Sequence, residues 1–380
     1  MKTYDIYNFD HGFTTHCTIT TDSFRIIITD EHCLNLKKLP KHSSFTFTRD
    51  HNFEPIVVEN SSQEGTFTIT GVIEIDDQFE GKSLLFPKEL SRNYIYDITL
   101  VLSFLTGRYV YLENEIDQYS SKFYLDGPVT QDFFVYKQIK YENIQKISQL
   151  DLDVQFYNTV KSCSINDLLS LTAYCNSSID KICTNWSKKN GKTKFEKSEL
   201  LNSLRHKAIE HVTDSLCSKV IIKFRKYLKN EKIDDEVIRD IEARVRIDTS
   251  PSAIHKLKAF LKYYDLYPKE DNDENSAKLR WINVIRNRVA HEGDLPKDKK
   301  IPWMTRAEIT SNITILMLSI IQWYFAKIIL GIENYRLNEM QKDIKNYFIS
   351  GKFRNKDIFN EKYEDYRNRI TNEWIENNKL

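Results

Sequence analysis

The chain has 380 residues, with 55 Lys+Arg against 54 Asp+Glu and a formal net charge of +1. Its 41% hydrophobic and 29% charged content supplies real cores and excludes a disordered chain, and the length suggests two or three domains. It has 10 glycines, where average usage would give about 27. Neither G-x-G-x-x-G nor G-x-x-x-x-G-K-[ST] occurs, so Gly-rich dinucleotide and phosphate loops are excluded. The six cysteines (17, 33, 163, 175, 183 and 217) never fall at C-x-x-C spacing, which signals neither a zinc cage nor a redox pair. The first residues, Met1 to Tyr7, lack the apolar run of a signal peptide, so the expectation is a soluble cytoplasmic protein with free thiols and no cofactor or metal.

The near-zero charge hides an asymmetry. Residues 1–150 hold 14 basic against 21 acidic side chains, and the remainder holds 41 against 33. The basic part is the place to look for an anionic partner.

Along the first ~85 residues, period-two runs of β-branched and aromatic residues predict strands at 23–29, 43–49 and 66–70. Leu90, Tyr94, Ile98, Val101, Leu102 and Leu105 then trace a helical stripe that stops at Gly107, and a strand is expected over 108–112. His11, His16, His32, His42 and His51 fall among the turns, in surface or hydrogen-bonding roles. From about residue 160 the pattern is helical. A cap at 164–167 opens one helix, and others are expected over about 195–228, 233–247 and 252–266. A further helix is expected from Ser276 to His291, stopping at Gly293 and Pro296. Thr305-Arg306-Ala307-Glu308 reads as a capping box before a very apolar helix, Ile309 to Leu330. That helix is long enough for a membrane, but Asn312, Ser319, Gln322 and Lys327 interrupt it. A buried core or dimer-interface helix is expected there instead. Phe359, Tyr363, Tyr366, Ile370 and Trp374 predict a final amphipathic helix. The expected class is α+β. A β-rich domain with one packed helix covers 1–150, a helical bundle covers 160–335, and a helical extension over 336–380 packs on the bundle.

The stretch that carries chemistry is Arg286-Asn287-Arg288-Val289-Ala290-His291. Leu279, Ile282, Ile285 and Val289 would form the buried stripe of its helix. Asn287 and His291 are four apart and stack on one side, with Arg286 about 100° around. Arg can bind a phosphate bidentately and stabilise developing charge. His titrates near neutrality and can pass protons. With no carboxylate pair beside them, metal-free phosphate chemistry fits this set.

This stretch resembles the signature of the HEPN superfamily, an Arg followed by four to six residues and a His, often with Asn directly after the Arg. The resemblance covers about residues 160–335 and implies a four- to five-helix bundle. It also implies a homodimer whose two motifs face one another. Many such proteins are metal-independent endoribonucleases of toxin, abortive-infection and CRISPR-associated systems, in which the ribose 2′-OH attacks the phosphate. Carried over, His291 is the general acid/base, Arg286 neutralises the phosphate and Asn287 positions it. The β-rich front followed by such a bundle is similar to Apea-type anti-phage proteins, which would give the front domain the task of sensing a trigger: a phage component, a nucleotide or RNA.

Other readings stand beside it. The motif could cap its own helix, or the bundle could be a non-catalytic dimerisation or nucleic-acid-binding module, or the toxin half of a toxin–antitoxin pair. Arg205 and His211, with five residues between them, form a competing match. Together with Arg288 they are candidates for substrate binding. His206-x-x-x-Glu210-His211 is one residue longer than the inverted zinc motif, which turns the second His off the ligand face. The cluster Lys219, Lys223, Arg225, Lys226 and Lys229 reads as a solvated face that could steer RNA.

Overall fold

A computed structural model describes residues 1–39, 44–49, 55–60, 68–89, 91–115, 133–162, 168–190, 253–270, 281–285 and 303–350, with the single positions 230, 275 and 279. It is mixed: a five-stranded antiparallel sheet near the N-terminus, and mostly helices elsewhere. The sheet comprises β1 (Lys2–Tyr7), β2 (Cys17–Thr20) and β3 (Phe24–Ile28). A short helix, α1 (Asp30–Leu36), follows. Next come β4 (Ser44–Arg49) and β5 (Pro55–Asn60), which among the described residues pair only with each other, and then β6 (Ile69–Ile75). After α2 (Tyr94–Thr106), the two-residue β7 (Tyr111–Leu112) completes the order β2-β3-β6-β1-β7.

Alternation does the folding here. Phe24, Ile26 and Ile28 of β3 point inward with Ile73 and Ile75 of β6 and Ile6 of β1. The strand expected at 66–70 begins at Ile69 and continues to Ile75, through Gly71. A Cβ on Gly71 would come within 3.1 Å of the Ile28 side chain and 3.4 Å of Ile6, so this glycine permits close packing rather than marking a turn. Of the strand expected at 108–112, Tyr111 and Leu112 form a strand opposite Tyr7 and Ile6, and Arg108 makes an isolated bridge. α1 was hidden behind the strand pattern of 23–29. Thr29 caps it, accepting from the His32 backbone while His32 accepts from the Thr29 backbone.

α2 is buried on nearly every side, with only Tyr96 reaching the surface region. A helix apolar all round belongs inside a molecule. It ends where the sequence says, at Gly107, whose φ of 68° is the left-handed stop. Its hydroxyls are turned onto backbone: Ser103 donates to the Thr99 carbonyl (2.6 Å) and Thr106 to that of Leu102 (2.8 Å).

Helices α3 (Tyr141–Gln149), α4 (Asp153–Ser162) and α5 (Leu168–Asn190) follow. Residue 150, where the acidic and basic parts of the chain meet, falls in the tight turn between α3 and α4. Beyond them lie α6 (Ala253–Tyr263), helical residues 281–285, α7 (Trp303–Trp323) and α8 (Tyr335–Ser350). α7 starts two residues before Thr305, so the Thr305–Glu308 capping box lies inside the helix. Pro302 directly precedes Trp303 and suits a helix start. From Tyr324 to Ile329 the helix widens into a π-helix, with the Leu330 N–H bonded to the Phe325 carbonyl (2.8 Å). The segment Thr310–Ile329 is long and apolar enough to cross a membrane, yet Ile313, Met317, Ile320, Ile321, Phe325 and Ile329 are buried within the protein.

Sheet and helices share their interior. Phe104 of α2 packs on Phe156 of α4 (5.1 Å between centroids), which packs on Phe325 of the π-helix (5.1 Å). The Asn143 amide donates to the Leu330 carbonyl (2.9 Å), and Gln138 exchanges two hydrogen bonds with the Glu333 backbone. The Tyr141 N–H donates to the Asp22 carboxylate (3.1 Å). Of the final extension, α8 buries Leu337, Ile344, Tyr347 and Phe348, and its Lys345 pairs with Asp265 just past α6. The amphipathic helix expected beyond it lies outside the described residues.

Candidate functional site

The predicted site residues Arg286, Asn287 and His291, together with Arg288, Arg205 and His211, lie outside the described residues. The structure does describe the approach to the motif. Leu279, Ile282 and Ile285 are 3% exposed or less, as their spacing requires of a buried stripe. Asn283, half-buried on the same segment, faces a small cleft whose other polar side chains, Asn176 and Asp180, come from α5. Ile179, Leu257 of α6, Ile282 and Met317 of α7 supply its apolar walls.

α5 reaches this position through its own periodicity. Cys175, Ile179, Ile182, Cys183 and Trp186 face the core. Thr172, Asn176 and Asp180 follow at steps of four along one side of the helix. Thr172 donates to the Leu168 carbonyl (2.6 Å), which leaves its oxygen to accept from Thr314 of α7 (2.7 Å). One turn further on, Asn176 is 5% exposed, and neither end of its amide has a partner among the described residues. A buried polar group in that condition is rare and calls for an explanation. It is the only side-chain amide among those described with both its donor and its acceptor left open. The polar side of α5 escaped the sequence reading, although a step-of-four polar series inside an apolar helix is a usable signal.

The most perturbed carboxyl group among the described residues lies elsewhere, in the sheet region. Asp97 of α2 is fully buried, and burial pushes its carboxyl up to about 7. It accepts from the Ser83 hydroxyl (2.5 Å), the Leu84 N–H (2.5 Å) and the Leu85 N–H (3.3 Å), all of which pull the other way. A perturbed carboxylate can mark catalysis. This one is sealed from solvent, and its partners are consecutive residues of a single loop, so it acts as a clasp for residues 83–85.

Of the front-region histidines, His42 and His51 lie outside the described residues, while His11 and His32 are interior and hydrogen-bonded rather than on the surface. His11 is fully buried between Phe9 and Phe13, and its Nδ1 accepts from the Phe13 N–H (3.0 Å). Burial lowers it to about 4, against the opposing His32 backbone, so it is neutral at pH 7. Burial raises the thiols of Cys33 and Cys175, the latter to about 12, which makes both poor nucleophiles. No family model matches the chain, and neither a curated protein nor a solved structure matches it.

Proposed function

We propose that the protein is a metal-independent endoribonuclease whose helical part is a HEPN-like bundle. The observation that carries this reading is the sequence Arg286-Asn287-x-x-x-His291, placed directly after a segment whose stripe, Leu279, Ile282 and Ile285, is buried. A stripe packed inward leaves the neighbouring side of the same helix for polar groups. The basic balance of residues 151–380 favours an anionic substrate.

In the proposed reaction His291 removes the proton of a ribose 2′-OH as that oxygen attacks the adjacent phosphorus. The P–O5′ bond breaks. The products are a 2′,3′-cyclic phosphate and a 5′-OH, the leaving oxygen taking its proton from an imidazolium, that of the partner copy in a composite homodimer site. Arg286 balances the phosphate charge and Asn287 orients it. The working context is cytoplasmic anti-phage defence or abortive infection, with the acidic front region receiving the trigger.

Purified protein should cut RNA in EDTA, and His291→Ala should lower the rate at least about 100-fold with an unchanged melting temperature. Equal cutting by the variant would remove His291 from the mechanism. A dimer that leaves all RNA intact would favour the non-catalytic module.

A further inference from the structure

Tyr263, the last residue of α6, is 59% exposed. Isolated exposed aromatics are ordinary on protein surfaces. This one is held by other rings. Its ring packs on Trp186 of α5 (5.5 Å between centroids) and on Tyr264 (4.9 Å). Trp186 in turn meets Phe260, and Tyr264 meets Trp323 and Tyr324. Tyr263 is thus the exposed edge of an aromatic cluster built from α5, α6 and α7, and its orientation is fixed from behind.

The two helices that hold it bear lysines. α6 carries Lys256, Lys258 and Lys262 and no carboxylate, with Lys258 and Lys262 lying over the ring of Tyr267 (5.9 and 5.8 Å to its centroid). α5 ends in Lys188 and Lys189, both exposed. Lys189 is three residues beyond Trp186 and so shares its side of the helix. The carboxylate that follows α6, Asp265, is held by Lys345 at 2.6 Å. The Trp186 Nε1 donor lies beneath Tyr263 with no acceptor among the described residues.

A fixed, exposed aromatic face with a lysine on the same side is the chemistry that holds single-stranded nucleic acid: bases stack on the ring while phosphates meet the ammonium group. We infer that Tyr263, with Lys189, forms a binding platform for single-stranded RNA, separate from the cutting residues. The choice of RNA rests on the nuclease reading above; the platform itself rests on the rings and charges.

The test measures binding of a fluorescent 12-nucleotide single-stranded RNA by anisotropy. It uses the full chain carrying His291→Ala, so that the RNA survives. Adding Tyr263→Ala should weaken binding about tenfold, while Tyr263→Phe, which keeps the ring, should bind like the parent. Lys189→Glu should weaken binding and flatten its salt dependence by about 0.7 in log–log slope. Unchanged binding by Tyr263→Ala, or no RNA binding by the parent, overturns the platform. If binding depends on Tyr263 but the wild-type chain never cuts RNA, the platform stands and the nuclease reading falls.

Discussion

The sheet region and the helical region treat their buried polar groups differently. In the sheet region, Asp97 receives three donors and the Arg108 guanidinium grips the Asn8 carbonyl (2.8 Å), while the Asn8 amide returns to the Tyr109 carbonyl (2.9 Å). Open buried atoms there are single ones, on His11, Thr68 and Asn93. In the helical region Asn176 is open at both ends, and the side-chain N–H groups of Trp186, Gln322 and Trp323 lack acceptors among the described residues. Polar groups that satisfy one another lock a single arrangement. Polar groups left open favour whatever can complete them. The sheet region is therefore built as a fixed frame, whereas the interior of the helical region retains hydrogen-bonding capacity near the segment that leads to the motif.

The largest effect should come from breaking the frame. Asp97→Ala strands the Ser83 hydroxyl and two backbone donors in a sealed site, with an expected loss of roughly 3–5 kcal/mol in urea unfolding. A loss below about 1 kcal/mol would mean that the 83–85 loop finds other acceptors and is not clasped.

Acidity separates two members of the same frame. His11 is lowered from its ordinary 6.5 to about 4, so its contribution is present above pH 6.5 and lost as pH falls toward 4, about 3 kcal/mol in all. Asp97 is raised from 3.8 to about 7, so its contribution is present below pH 4 and lost as pH rises through 7, about 4 kcal/mol. The two nearly cancel between pH 4 and 7. His11→Phe should uncover a stability that climbs as pH falls across this window, and Asp97→Asn one that declines. Parallel pH profiles for the two variants would contradict the opposed burial of these groups.

In the helical region the corresponding substitution should have the opposite sign. Asn176→Leu removes an amide with no partner at either end, so stability should rise by about 1 kcal/mol, read as a higher melting temperature. A fall of that size would show that Asn176 is satisfied in solution. An effect of similar size belongs to Gly107→Ala, which places a side chain at φ 68° and should cost roughly 1 kcal/mol in urea unfolding without altering RNA binding.

How much of this was readable in the chain depended on whether the cause was local. β3, β4 and the stop of α2 at Gly107 follow from alternation and from one glycine's freedom, and both signals are local. α1 was missed because its cap, Thr29, ends a run of β-branched residues, and His32 stands where a capping box usually has Glu or Gln. The extension of β6 through Gly71 depends on Ile6 and Ile28, which no window around Gly71 contains. The widening of α7 at Tyr324 has no local signature either. At the candidate site, the buried stripe at 279, 282 and 285 was set by spacing alone. The open amide of Asn176 arises only when α5, α6, α7 and the 281–285 segment meet, so no reading of α5 by itself could find it.

The stack Phe104–Phe156–Phe325 bears on how the chain can be made. α2 is apolar on almost every side, and part of its covering belongs to a residue near the far end of the polypeptide. During synthesis that face stays uncovered until Phe325 has left the ribosome, a long wait for a contact of such large sequence separation. Fragments cut near residue 150 should therefore stick to chaperones or aggregate, and stopping synthesis before residue 325 should leave the nascent front region sensitive to protease. The last helices to appear would then decide when the first region is finished.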